Sequence, residues 1–178
     1  MRIIAGTLKG REFKSPSGSR THPMSDKARG ALFNTLGDIE GLSFLDAFAG
    51  SGALAFEAIS RGAKSAVAID KDRAAHGALD KNVQDLHLSK QVDAVRANAG
   101  GWSIHNMEKK FDVVLLDPPY DQLQPEVIKT LVKRHIQPGG LAVLSWPGKE
   151  PVPEFDQTEV ITNKLYGDIQ LVFYRKES

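Results

Sequence analysis

Apolar and polar positions alternate along this chain in blocks, and the lengths of the blocks predict its elements. Apolar runs at Ser43 to Phe48, Ala66 to Ile69, Val92 to Ala97, Val113 to Leu116 and Leu141 to Ser145 have strand length. Between them, Ala53 to Arg61, Ala74 to Leu86 and Pro125 to Arg134 repeat their apolar residues at helical spacing. Strands apolar on both faces and joined by helices imply a parallel sheet covered on both sides. The expected fold is therefore α/β, with a mostly parallel, doubly wound sheet.

Both ends depart from this alternation. Val160 to Tyr166 and Ile169 to Tyr174 are separated only by Gly167-Asp168, too tight for a parallel crossover, so the sheet is expected to close with an antiparallel C-terminal hairpin. At the other end, Arg2 to Thr7 and Arg11 to Lys14 flank Leu8-Lys9-Gly10 and predict a small N-terminal β-hairpin. Ser25-Asp26 caps a helix running to about Leu36 and stopped by Gly37. The organisation expected is one domain over residues 1–178, with residues 1–36 as an extension and residues 42–178 as the core.

Composition narrows the class. A chain of 178 residues buries roughly two-thirds of its unfolded surface and leaves no room for a full second domain, so any substrate is held by additions to one core. No apolar run approaches the ~18 residues that span a bilayer, and Arg2-Ile3-Ile4-Ala5 leads into glycine and charge rather than a signal-peptide core. There is no cysteine, which excludes disulfides, thiolate metal sites and cysteine nucleophiles. A cytoplasmic, monomeric protein is expected. The formal charge of +1 conceals an asymmetry: residues 1 to 30 carry Arg2, Lys9, Arg11, Lys14, Arg20, Lys27 and Arg29 against Glu12 and Asp26, a net of +5 that leaves −4 for the rest. A basic arm on an acidic body suits a phosphate backbone, and these seven side chains are the expected nucleic-acid contacts.

At the end of the first core strand stands Asp46-Ala47-Phe48-Ala49-Gly50-Ser51-Gly52, a glycine turn opening a helix. Gly50 and Gly52 let the backbone turn sharply and approach a ligand, and the helix offers free N–H groups at its positive end. "GSGALA" also fits a dinucleotide fingerprint, with Asp70 twenty residues beyond Gly50 as the ribose acceptor. Asp46, four residues before Gly50, decides between the two readings. Its charge opposes a pyrophosphate and suits the ammonium of S-adenosylmethionine, while Ala49 lengthens the loop for an amino-acid headgroup. Phe48, Ser51, Lys71, Asn98 and Ala99 complete the expected cofactor contacts, Asn98-Ala99 facing the adenine.

The fourth strand ends in Asp117-Pro118-Pro119-Tyr120. Prolines cannot continue a central strand and hold the backbone rigidly extended. In the doubly wound order this strand lies beside the first, which aims the tetrapeptide into the ligand crevice. An exocyclic base amine is a poor nucleophile, because its lone pair is delocalised into the ring. Acceptors at the Asp117 carboxylate and the Pro118 carbonyl, fixed by Pro119, would draw its nitrogen toward tetrahedral geometry, and Tyr120 would stack on the extruded base. No histidine, aspartate or glutamate cluster has metal-ligand spacing, and no metal is expected. Trp102, Trp146 and the five histidines are expected in packing or at the surface, with Ser145-Trp146-Pro147 bordering the cleft.

Together, "FAGSGALAFEAISRGA", "DPPY", the opening "MRIIAGTLKGREFKSPSG" and the helix "SDKARGALFNTLG" resemble the RsmD family of bacterial 16S rRNA guanine-N2 methyltransferases. The resemblance extends over essentially the whole chain, including Lys164 to Tyr174. It implies a Rossmann-like class I methyltransferase fold, S-adenosylmethionine as cofactor, and one guanine of small-subunit rRNA, or of an assembling 30S particle, as target. Asp117 to Tyr120 fall on the family's catalytic motif, and Asp46, Gly50 to Gly52, Asp70 and Asn98 on its cofactor positions. The chain departs from the family in having His22 before Pro23, where arginine is usual, and Gly30 after Arg29, where an acid is usual. Those positions bear on the target nucleotide more than on the reaction. Three other readings stand beside this one: a DNA adenine-N6 methyltransferase sharing the motif, a nicotinamide-dependent oxidoreductase built on "GSGALA", and a non-catalytic RNA-binding module. Asp117→Ala separates enzyme from binder.

Overall fold

The computed structural model describes residues 1–16 and 23–178. In chain order the elements are α1 (Asp26–Leu36), β1 (Ser43–Asp46), α2 (Ala53–Ser60), β2 (Ser65–Asp70), α3 (Arg73–Asp85), β3 (Val92–Arg96), α4 (Ala99–His105), β4 (Phe111–Leu116), α5 (Pro125–His135), β5 (Ile136–Pro147), β6 (Thr158–Tyr166) and β7 (Ile169–Lys176). The seven strands form one sheet in the order β3-β2-β1-β4-β5-β7-β6. The first five are parallel, and β7 runs antiparallel between β5 and β6. The expected doubly wound sheet with an antiparallel closing hairpin is thus present.

Successive residues of a strand point to opposite faces, and β4 shows why its sequence is uniformly apolar. Val113 and Leu115 join one buried layer with Phe44, Phe56 and Leu79, whereas Val114 and Leu116 join the other with Leu45, Trp102 and Leu131. Trp102 and Trp146 pack in this second layer, as expected. So does His135, whose Nδ1–H donates to the Lys109 carbonyl at 2.6 Å while Nε2 accepts from the Ser103 hydroxyl at 2.7 Å. That pairing makes the imidazole neutral, and burial lowers its pKa in agreement.

The N-terminal hairpin is less regular than its pattern predicts. One antiparallel bridge, Arg2 to Glu12, replaces the expected pair of strands, supported by Ile3 N–H to Arg11 O and Phe13 N–H to Met1 O, both 2.9 Å. Much of the backbone bonds sideways to α2 instead of along a ladder. Ile4 and Ala5 N–H donate to the Glu57 carboxylate, Leu8 N–H to the Ser60 hydroxyl and Thr7 N–H to the Ser60 carbonyl. Gly6 permits this approach, because a Cβ there would lie 1.9 Å from the Ser60 oxygen. Buried Ile3 and Phe13 fasten the segment, Phe13 meeting Phe56 edge-on at 5.3 Å. Helix α1 follows as expected, with Ser25 accepting from Ala28 N–H and Gly37 ending it at φ 75°.

Candidate active site

The carboxyl ends of β1, β2 and β4 deliver three carboxylates to one place: Asp46, Asp70 and Asp117. Parallel registers bring them together, since Asp46 pairs with Ala68 of β2 and with Leu115 of β4, two residues before Asp70 and Asp117 respectively. Above them opens a cavity of about 1070 Å³, bordered by Phe48 to Ser51, Asp70, Lys71, Asn98, Ala99, and Asp117 to Asp121. The far side is made by residues 23–25, Lys27, Arg29 and the β6–β7 turn from Leu165 to Ile169.

Asp46 differs from its expected position. It is fully buried beneath the wall formed by Ala47 to Ser51, rather than on it. Both its oxygens lack a hydrogen-bond partner among the described residues. Burial first, then the charges of Asp117 and Asp70, push its pKa up to about 8. An orphaned, desolvated acid flanked by two more is a poor neighbour for a pyrophosphate and a good one for a cation. The residues present therefore fit a cofactor carrying an ammonium and a sulfonium.

Asp70 ties the loop to the sheet. One oxygen accepts from Gly50 N–H at 2.9 Å and the other from Asp72 N–H at 2.9 Å, so the orientation of the carboxylate is fixed by the protein itself. Lys71 extends outward to the Gln122 side chain at 2.7 Å. Gly50 and Gly52, alike in sequence, differ in role. At Gly50 (φ 56°) a Cβ would meet open space, whereas at Gly52 (φ 99°) it would strike the Phe56 ring at 2.4 Å and Leu79 at 2.7 Å. Gly50 borders the cavity, and Gly52, two residues further on, leaves room for the Phe56 and Leu79 side chains. Asn98 borders the cavity but spends its side-chain oxygen on Gly101 N–H at 2.6 Å, capping α4.

At the motif, Pro118 is buried and Tyr120 is 39 % exposed, its hydroxyl 2.8 Å from Ser145 Oγ. Burial raises the Asp117 carboxyl to about 6, and the Ser145 hydroxyl draws it back down. Burial likewise raises the Tyr120 phenol to about 12. Ser145, anticipated only as a cleft residue, is thus the polar link between the motif's acid and its ring. Nothing in the local sequence signals this, because the link depends on β5 lying beside β4. Among the described residues there is no group of side chains that could hold a metal.

The basic residues separate into two groups. Arg2, Lys9, Arg11, Lys14 and Lys27 are exposed, Arg2 pairing with Glu12 at 3.3 Å, and Lys27 borders the cavity. Arg29, expected among the nucleic-acid contacts, is instead 1 % exposed and held between Asp26 and Glu57. An interior guanidinium cannot grip a backbone at the surface, which corrects that expectation. Arg20 and His22 lie outside the described residues.

Comparisons with known proteins agree with this geometry. A family model described as conserved hypothetical protein 95 matches residues 1–175. Ribosomal RNA small subunit methyltransferase D of Haemophilus influenzae is 30% identical, the match spanning 98% of this chain and 93% of that protein. The protein of the same name from Buchnera aphidicola is 30% identical over 97% of this chain and 91% of its own length. Among solved structures, the Escherichia coli protein yhhF is 31% identical and superposes with a TM-score of 0.88 over 99% of this chain and 98% of that one. A Thermus thermophilus protein is 30% identical with a TM-score of 0.81, covering 100% of this chain and 99% of its own. With its fold, its acid-floored cavity and these relatives in agreement, the chain belongs to the RsmD family of S-adenosylmethionine-dependent rRNA methyltransferases.

Proposed function

We propose that this enzyme methylates the exocyclic N2 amine of one guanine in small-subunit (16S) rRNA. The observation that carries the reading is the placement of Asp117 to Tyr120 on the wall of a cavity that Asp70 also borders and beneath which Asp46 is buried. At about 1070 Å³ the cavity exceeds the usual ~300–1000 Å³ of a small-molecule site, leaving room for an unstacked base beside a cofactor. S-adenosylmethionine, when bound, supplies a methyl group on a sulfonium. Phe48, Ala49, Gly50, Ser51, Asp70, Lys71, Asn98 and Ala99 would hold it, and buried Asp46, protonated at neutral pH with no cation beside it, would give up that proton as the ammonium arrives and then offset its charge.

Asp117 and the Pro118 carbonyl would accept hydrogen bonds from the two amine N–H groups, which turns the nitrogen lone pair away from the ring and toward the methyl group. Pro119 keeps these acceptors from relaxing, so no reorganisation is required when charge develops. Tyr120, anchored through its hydroxyl to Ser145, presents its half-exposed ring to the base. As nitrogen gains the methyl group it sheds one proton, which Asp117 accepts and passes to water. A carboxyl near 6 is ionised at neutral pH and still more basic than an ordinary aspartate. Lys9, Arg11, Lys14 and Lys27 would hold the flanking rRNA backbone, with accessible loop nucleotides as the natural targets.

The test is transfer of label from S-adenosylmethionine to small-subunit particles lacking the modification, followed by nucleoside analysis. N2-methylguanosine is the expected product. Labelled N6-methyladenine in DNA would move the enzyme to the other base-amine class, and absence of labelling with no cofactor binding would refute the proposal.

A further inference from the structure

We infer that Arg29 binds the carboxylate at the amino-acid end of the cofactor, an inference that rests on the S-adenosylmethionine reading above. Arg29 carries more donors than its protein neighbours use. Its Nη2 donates to the Arg2 carbonyl at 2.8 Å and to Asp26 Oδ1 at 3.0 Å. Its Nε lies 3.6 Å from Glu57 Oε1, too far for a hydrogen bond, and neither Nε nor Nη1 has a partner among the described residues. Glu57 is already committed, accepting from Ile4 N–H, Ala5 N–H and Arg61 Nε. A buried, charged donor left without an acceptor is destabilising, so the fold keeps it there only if something else accepts.

The position of Arg29 identifies the acceptor. Its side chain borders the cavity. Its anchor, the Arg2 carbonyl, follows Met1, whose Sδ is 3.6 Å from the Ser51 hydroxyl, and Ser51 belongs to the cofactor loop. This is the loop end of the cavity, where the amino-acid end belongs; Asp70 and Asn98 mark the ribose and adenine ends. That amino-acid end is a zwitterion. Asp46 answers its ammonium, and its carboxylate, coming down over three acids, requires a cation. Lys71 is engaged with Gln122 and Lys27 is exposed to solvent, which leaves Arg29 as the desolvated positive group. Desolvation strengthens a charge-assisted hydrogen bond and favours a guanidinium over a hydrated ammonium.

Calorimetry on the full chain with S-adenosylmethionine and with its decarboxylated analogue tests this, because the two differ only in the carboxylate. The three acids alone would favour the analogue, which has one more net positive charge. Wild type is nevertheless expected to bind intact S-adenosylmethionine at least about tenfold more tightly. Arg29→Gln should lose about 10- to 100-fold for the intact cofactor and less than about twofold for the analogue. Arg29→Lys, which retains a cation for Asp26 and Glu57, should show a partial loss of the same preference and serves if the glutamine variant does not fold. Equal binding of both ligands by wild type, or equal weakening of both in a folded variant, would overturn the role of Arg29. So would an unchanged preference accompanied by weaker rRNA binding, which would assign the guanidinium to the substrate. Binding of neither ligand by wild type would remove the cofactor reading itself, an outcome distinct from the others.

Discussion

The Tyr120 hydroxyl and Ser145 Oγ lie 2.8 Å apart, joining the end of the β4 motif to the end of β5. Ser145 is 3 % exposed, and its hydroxyl also favours the ionised form of Asp117. One buried oxygen therefore steadies the Tyr120 ring and tunes the Asp117 carboxylate, the two groups that the proposed mechanism places against the base.

Activity should follow the ionisation of Asp117. With its carboxyl near 6, kcat/KM is expected to be level above about pH 7 and to fall tenfold per pH unit well below 6, as the acceptor becomes a donor. Ser145→Ala removes a hydrogen bond to the charged form, so its profile should move to higher pH with an activity loss of roughly tenfold at neutrality. Asp117→Asn should lose at least ~100-fold above about pH 7 and should not show the fall below pH 6 that wild type shows. A Ser145→Ala profile with an unmoved midpoint would show that the hydroxyl does not act on Asp117.

Glu57 is the pin of the N-terminal segment. It is wholly buried and bonds Ile4, Ala5 and Arg61 while facing Arg29. Glu57→Gln takes away Arg29's buried acidic neighbour, leaving exposed Asp26 to balance the interior charge, and turns one acceptor of Ile4, Ala5 and Arg61 into a donor, which together should cost about 3–5 kcal/mol. At about 2–4 °C per kcal/mol, the melting temperature should fall by roughly 6–20 °C. Hydrogen exchange should show residues 1–14 losing protection before the sheet does. Uniform loss across the sheet would mean that Glu57 supports the core rather than the segment.

The parallel half of the fold is legible because runs such as Val113 to Leu116 are apolar on both faces, and the closing hairpin because Gly167-Asp168 permits no crossover. Helix α4 is not legible: its seven residues include Gly100 and Gly101, and its one signal, the capping residue Asn98, reads equally well as a ligand contact. Arg29 misleads for a related reason. Charge counting places it in a basic arm, and the partner that draws it inside, Glu57, stands far along the chain on α2. Local patterns report what a residue prefers, whereas Ser145, Asp46 and Arg29 acquire their roles from strands and helices that meet only in the folded sheet.

Asp46 should set stability against function. Its carboxyl rises from 3.8 to about 8 on folding, so the folded state holds a proton that the unfolded state has lost. Stability contributed at low pH therefore declines as pH climbs from about 4 to 8. Asp46→Asn removes that loss. Without cofactor, the variant is expected to melt at least about 2–4 °C higher than wild type at pH 8, for ~1 kcal/mol gained, and to match it near pH 4. Its affinity for S-adenosylmethionine should fall at least about tenfold, as expected for the loss of one close charge partner. A variant that neither gained stability at pH 8 nor lost affinity would mean the acid is accommodated by contacts other than those seen here.

The two loop glycines should fail in different ways when each becomes alanine. At Gly52 a methyl group would have to displace the Phe56 ring and Leu79, on a backbone at φ 99° that alanine resists. Overpacking and strain together should cost about 2–4 kcal/mol, and a melting curve should show it with or without ligand. Gly50 has the same backbone demand at φ 56°, but its Cβ would meet no protein atom within 4 Å. The space it would enter is the cavity. Gly50→Ala should therefore cost only about 1–2 kcal/mol in stability while weakening S-adenosylmethionine binding disproportionately, because the added methyl group blocks the close backbone approach. Measuring melting temperature and cofactor affinity for both variants distinguishes the roles. If Gly50→Ala bound cofactor as wild type does, the headgroup would have to sit away from this turn, and the assignment of the loop would be wrong.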